Sequence, residues 1–294
     1  MSAGPEITVV IPVWDEYVRW LPRAVASLGE QGVAVRVVVV DNASRVPVPS
    51  VAGATTLRIR SRMSVGAARN AGLAAVSAPL VCFLDADDEL LPGTLARLRD
   101  RLAARPSSVA AVPRSLAWAE GSGEAVAWDW PRPLAYRLCR HRRLFALVTA
   151  LRNAYPTTGV LMRAAALRAS GGFADADHEE DWLPGVALAS RGHVDLDARP
   201  GRRCRVSERS LYGAGADLAT VRANRRALRR ALRRDPRTRG LAVTFGWALA
   251  AAHLVSARVK ATPRRRGHAR VLSAARAAAH AGDGAGQDAQ VAAQ

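Results

Sequence analysis

The chain has 294 residues, enough for one large domain or a domain with an appendage. Its 49% hydrophobic and 23% charged residues are ordinary for a globular protein, and its formal net charge of +18 points to an anionic partner: nucleic acid, an anionic membrane or phosphorylated substrates. Cys82, Cys139 and Cys204 stand far apart, with no CxxC pair and no Cys/His spacing of the zinc kind, which excludes a zinc-ribbon or finger pattern and reads each as a small buried apolar residue.

The first six residues lack a basic stretch followed by an apolar one, so no signal peptide is expected, and a reducing cytosol suits the scattered cysteines. Residues 7–12 form a β-branched run stopped by Pro12 and predict a buried strand. Leu21, Val25 and Leu28 recur at helical spacing, which predicts a helix over 21–31. A second strand is expected over 35–40, ending at Asp41 and Asn42, then a Pro-rich loop over 46–50 and a short strand over 57–59. An Ala-rich helix follows over 66–76, then an apolar strand over 80–84 that ends at Asp85, then a helix over 95–102. Strand and helix alternate, so the expected fold is α/β with a mostly parallel sheet, and the nearly continuous apolar strands imply that both faces are covered. Ligands of such sheets sit in the crevice at the carboxyl ends of the strands. Pro12 and Glu16, Asp41, and Asp85 with Asp87 all stand at those ends.

Beyond residue 108 the pattern weakens. Residues 109–112 suit a strand, and 121–123 a turn between edge strands; Trp118, Trp128 and Trp130 suit either edge packing or a wall that stacks on an acceptor. The positive charge gathers at the end: from Arg209 onward there are 17 Lys and Arg against 4 Asp. Residues 218–234 predict a basic amphipathic helix ended by Pro236. Residues 241–257 carry no formal charge, and three readings stand open: packing on the body, contact with a membrane interface, or a span of borderline length. After Ala281 the composition is that of a disordered tail.

Asp85-Ala86-Asp87-Asp88 follows its strand without a gap. Paired carboxylates are hard oxygen ligands suited to Mg2+ or Mn2+, though an acidic loop or helix cap gives the same pattern. The surroundings bear on that choice. Residues 8–16 (TVVIPVWDE), 27–31 (SLGEQ), 38–44 (VVVDNAS), 66–72 (GAARNAG), 83–88 (FLDADD), 171–175 (GGFAD) and 179–182 (EEDW) occur in order, and together the chain resembles the inverting family 2 glycosyltransferases with the GT-A fold. The resemblance covers most of residues 6–210. It implies a Rossmann-like nucleotide-sugar-binding domain over 1–210, and the charge and composition read above add a basic α-helical extension over 211–280 and the tail over 281–294.

The resemblance also implies roles. Pro12, Val13 and Glu16 would line the nucleoside pocket, and Asp41 would bond the base. Arg69 would lie near the base or diphosphate. Asp85 and Ala86 would meet the nucleotide sugar, with Asp85 also helping at the metal. Asp87 would ligate Mn2+ or Mg2+ directly. Asp181 is similar to the family's catalytic base, and Glu179 and Glu180 beside it leave the assignment open. Gly171-Gly172-Phe173 reads as a tight turn and packing anchor, and Thr157 and Thr158 as strand residues or oxygen donors. Asn42, and Arg45-Val46-Pro47, depart from the family's acidic residues and alter the nucleoside pocket. The expected activity is transfer from a nucleotide-sugar donor to a hydroxyl of a saccharide or lipid-linked acceptor, in cell-surface polysaccharide or glycolipid synthesis. The expected place is the cytoplasm, with peripheral contact to an anionic membrane at its inner face. The alternatives are a nucleotidyltransferase on a related scaffold and a basic nucleic-acid-binding protein. Against the latter, the body lacks interleaved basic and aromatic residues.

Overall fold

The computed structural model describes residues 6–119, 126–127, 133–206, 218–261 and 273. The first unit is β1 (Ile7–Val13), a 3-10 turn (Asp15–Trp20), α1 (Leu21–Ala26), β2 (Val35–Asn42) and β3 (Ala54–Ile59). Next come α2 (Val65–Ala74), β4 (Leu80–Phe83), β5 (Glu89–Leu90), α3 (Thr94–Ala104), β6 (Ser108–Ala119) and β7 (Val126–Ala127). The remainder is α4 (Pro133–Leu138), α5 (Arg142–Leu151), β8 (Leu161–Arg163), α6 (Ala164–Ala169), α7 (Trp182–Arg191), β9 (His193–Val206), α8 (Leu218–Arg234), α9 (Pro236–Thr244) and α10 (Gly246–Ala261).

One sheet runs β3-β2-β1-β4-β8-β6-β9-β5, with β7 paired to β6. The β3-β2-β1-β4 half is parallel throughout. Beyond it β8 runs antiparallel to both β4 and β6, while β6 and β9 pair in parallel. The chain moves outward from β1 to β2 and β3, then returns to the other side of β1 for β4. That reversal opens a crevice at the strand ends between β1 and β4.

The alternation of side chains along the strands builds two apolar layers. Val10, Val38, Val40 and Phe83 face one, with Ala68 and Leu73 of α2. Val9, Ile11, Val37 and Val39 face the other, with Leu95, Leu98 and Leu102 of α3. α2 is small-sided for a reason: a Cβ on Gly72 would lie 2.3 Å from Val10 Cγ1, so the helix rests almost on the strand. Ser64 caps α2 by accepting from the Ala67 amide. α3 starts at Gly93, which offers no side chain, and the buried Gln31 Oε1 accepts from the Leu95 amide in its place at 2.9 Å.

The helix expected over 21–31 is shorter, ending at Ala26. Ser27 Oγ donates back to Ala24 O, and Gln31 Nε2 bonds both Ser27 O and Leu91 O, so this stretch is consumed in tying α1 to the β5 loop. Trp118 is buried and edge-on to Trp20 at 5.8 Å, the packing reading. Trp128, Trp130 and the turn at 121–123 lie outside the described residues, as does the tail over 281–294.

The basic C-terminal helices pack on the body. Leu228 and Leu232 of α8, Ala242 of α9 and Leu249 of α10 join Ala150, Trp182 and Val186 of α5 and α7 in a third apolar cluster. The charge-free segment over 241–257 is broken at Phe245 between α9 and α10. Among the described residues no helix is long and apolar enough to cross a membrane.

Candidate active site

The crevice is built from the ends of β1, β2 and β4. Val13 pairs in register with Asp41, and Leu84 alone separates the end of β4 from Asp85. Pro12 is half-buried, and Glu16 is exposed on the turn after β1. The side chains of Val13 and Ala86 are both in the apolar layer over α1 and α3, so at those two positions the side chain serves the core.

Asp41 is buried and already engaged. Its Oδ1 accepts from the Ser44 amide at 2.9 Å and its Oδ2 from the Arg58 guanidinium of β3. Arg58 also donates to Ser44 O at 2.9 Å, and Ala43 takes the left-handed conformation (φ 57) that turns the loop back. Asn42 makes a reciprocal pair with the Met63 backbone, donating at 2.8 Å and accepting at 3.0 Å. Arg45, one of the departures, donates its amide to Asp15 Oδ1 at 2.9 Å, and this bond holds the Asp15 carboxyl below its ordinary range. The two loops that flank the pocket are thus joined through Asp15 and Arg45. Arg62 lies 3.4 Å over the Trp14 ring at the same rim.

Arg69 projects from α2 into the middle of the site. Its guanidinium donates to Glu180 and to Asp85 Oδ1, the latter at 2.7 Å. Burial works to strip its proton, the charges of Asp85 and Glu180 overturn that, and the net shift is upward. Thr158 Oγ1 donates to the other oxygen of Asp85 at 3.3 Å. Thr157 is buried, with no bonding partner at its hydroxyl.

Asp87 accepts from Arg205 of β9, Nη2 at 2.8 Å and Nε at 3.1 Å. Burial, then the charge of Asp85, push its carboxyl up to about 6. Asp88 is buried beside it, with Oδ1 on the Arg205 amide and Oδ2 lacking a hydrogen bond. Burial raises its pKa as well. Crowded carboxylates at the end of a strand are what a hard divalent cation relieves, so Asp85 and Asp87 fit Mg2+ or Mn2+. Among the described residues no group of three or more His, Cys, Asp or Glu could hold a metal. The pair therefore suits an ion whose remaining positions are filled by water and ligand phosphate. Arg205 lies over Trp20 at 4.8 Å, and burial with the nearby Asp87 charge pushes the Tyr17 hydroxyl up to about 12.

The three adjacent acids diverge. Glu179, in a left-handed conformation (φ 60), meets Arg225 of α8. Glu180 meets Arg69. Asp181 precedes α7 without capping it, and its Oδ1 accepts from Asn153 Nδ2 at 3.2 Å. Gly171 and Gly172 have φ of 88 and 72, and Phe173 packs against Phe83 at 4.8 Å, as the turn-and-anchor reading requires. Asn70 holds this turn by bonding both the N–H and C=O of Phe173. The structure thus brings Arg69, Asp85 and the 179–181 segment together, with Asp87 beside Asp85. Arg58 on Asp41, Asn153 on Asp181, Arg202 on Thr158 O, Arg205 on Asp87 and Arg225 on Glu179 are not singled out by the sequence, each being recruited by a partner distant along the chain.

Residues 8–166 match the family described as Glycosyl transferase family 2. The chain is 31% identical over 112 residues to the succinoglycan biosynthesis protein ExoO of Rhizobium meliloti, covering 36% of this chain and 32% of that protein. It is 31% identical over 240 residues to the pre-mycofactocin glycosyltransferase of Mycobacterium tuberculosis, covering 75% of this chain and 49% of that one. The chain therefore spans half or less of the length of these curated relatives. Its fold is shared with residues 1–349 of TarS from S. aureus, solved in complex with UDP-GlcNAc, at a TM-score of 0.62 and 15% identity over 79% of this chain and 67% of that one. The family match takes in Asp41, Arg69 and the Asp85–Asp87 segment and extends over more than half of the sequence: the chain belongs to glycosyl transferase family 2.

Proposed function

We propose that this glycosyltransferase is metal-dependent and inverting, and moves a sugar from a nucleotide-sugar donor to a hydroxyl of a saccharide or lipid-linked acceptor. The observation that carries the reading is the pairing of two sets of acids across one guanidinium: Arg69 joins Asp85, at the end of β4, to Glu180, next to Asp181. Donor-side and acceptor-side groups thus share one crevice. The UDP-GlcNAc bound by TarS supports a nucleotide-sugar donor, and the names of the two curated relatives support a saccharide or glycoside product.

In this reading Asp41 and the loop after Pro12 hold the nucleoside, and Arg69 and Asp85 orient the sugar diphosphate. Asp87 and Asp85 would hold Mg2+ or Mn2+, which neutralises charge on the departing diphosphate. Glu179 and Glu180 each pair with a buried guanidinium, whereas Asp181 accepts from the neutral Asn153 amide, which supports Asp181 as the base. Asp181 takes the proton of the acceptor hydroxyl as its oxygen attacks the anomeric carbon, and the bond to the diphosphate oxygen breaks on the opposite face. One displacement inverts the centre. Purified protein supplied with a panel of nucleotide sugars should release nucleoside diphosphate only with Mn2+ or Mg2+, and Asp87→Ala and Asp181→Ala should each slow transfer by about 10²-fold or more. Wild-type rates in both variants would remove the mechanism.

The reading extends to the inner face of the cell membrane. α10 presents Trp247, Ala251, Leu254 and Val255 to solvent at i, i+4, i+7 and i+8, opposite its buried Leu249 and His253. Arg233, Arg239 and the exposed Val243 line a shallow cleft nearby. An apolar face ending in tryptophan beside guanidinium groups suits an anionic bilayer surface.

A further inference from the structure

The basic helix α8 reaches the base segment with two consecutive residues. Asn224 Nδ2 donates to His178 O at 2.8 Å. Arg225 forks onto Glu179, with Nη2 to Oε1 at 2.9 Å and Nε to Oε2 at 3.2 Å. Both members of this ion pair are buried. The third arm of the guanidinium donates to His253 O of α10 at 2.8 Å, and its carbon lies 5.2 Å from the Trp182 ring. Glu179 needs such a grip, because a non-glycine residue pays sterically for a left-handed backbone. That conformation has a consequence two residues on. It splits three successive carboxylates, sending Glu180 to Arg69 and Asp181 to Asn153.

The geometry points to Arg225 as a positioning residue for the acceptor base: it fixes Glu179 in the turn that aims Asp181, and so makes α8 part of the catalytic unit. The inference rests on the reading of Asp181 as base. A mere staple between α8 and α7 would serve stability alone.

The full chain carrying Arg225→Met together with Glu179→Met separates the two. Replacing both members of a buried ion pair by apolar groups is often neutral for stability. The double variant should therefore melt near wild type, while kcat falls on the order of 10²-fold with donor KM unchanged. Hydrogen exchange at the amides of 177–182 should quicken, with α2 and β4 unchanged. Arg225→Lys, which keeps the charge without the fork, should show the same pattern at smaller size and serves if the double variant does not fold. Wild-type kcat and exchange in a folded variant overturn the inference. If the wild-type chain transfers no sugar, exchange still decides: quickened exchange supports the positioning and places the failure with Asp181 as base, and unchanged exchange overturns the positioning.

Discussion

Arg69→Met removes the one guanidinium between Asp85 and Glu180 and keeps the apolar stem beside Phe173. The Arg69 side chain is only 5% exposed, and its two partners differ: Glu180 is 12% exposed and Asp85 38%. Breaking a buried pair from one side costs about 3–5 kcal/mol, because a charge is left unpaired, whereas a pair open to water costs about 0–1 kcal/mol. Asp85 can be hydrated in the variant and adds little. Glu180 cannot, so the loss should be about 3 kcal/mol rather than twice that. At roughly 2–4 °C per kcal/mol for a chain of this size, the melting temperature falls by about 6–12 °C. Adding Glu180→Met removes the stranded charge, and the double variant should recover about 2 kcal/mol of the loss. Urea denaturation with an unchanged slope measures both. A single variant as stable as wild type, or a double variant that sums the two single costs, would refute the view that Arg69 is held by Glu180.

Three further outcomes are expected. Gly66→Ala would place a Cβ 1.8 Å from Ala174 O, and backbone on both sides cannot give way, so denaturation should show a loss at the upper end of about 1–3 kcal/mol; a silent substitution would mean that α2 does not touch this turn. His253 Nε2 faces Ala150 O at 2.8 Å and so carries the hydrogen, while Nδ1 accepts from Arg229; burial lowers the pKa of the ring from 6.5. The unfolded imidazole takes a proton below about 6.5 that the folded one refuses, so stability should fall as the pH drops below about 6.5, and His253→Gln should flatten that slope in melts taken from pH 7 to pH 5. Trp247, 79% exposed on α10, should enter the interface of phosphatidylserine vesicles, and Trp247→Ser should weaken co-sedimentation by about tenfold; equal binding of the wild type to neutral vesicles would exclude the charge-assisted reading.

The crevice was legible because its signals are local. Apolar runs that stop at Asp41 and Asp85 mark both strand and strand end, and Gly171-Gly172 marks a turn by composition alone. Pairing direction was not legible beyond β4. A strand's periodicity is the same whether its neighbour runs parallel or antiparallel, so the reversal at β8 has no local trace. In β9 the alternation of Val194, Leu196 and Ala198 with charged residues does suit a strand, but Pro200-Gly201 reads as a turn and cuts the pattern short. Arg205 was hidden for another reason: in a chain this rich in arginine, it differs from the solvated ones only in what lies opposite it after folding. Arg225 does carry a signal, because it falls with Val221, Leu228 and Leu232 on the buried stripe of α8.

Those arginines change what it means for a ligand to arrive. Asp41 comes with Arg58, Asp85 with Arg69, Asp87 with Arg205 and Glu179 with Arg225. Each of these acids therefore meets a guanidinium before any ligand does, and filling the crevice is an exchange. On the proposed reading, a cation that came to Asp87 would compete with Arg205, and the guanidinium it displaced would be released next to the phosphates arriving with the cation. Entry of the ion and capture of the anion would then be two halves of one swap.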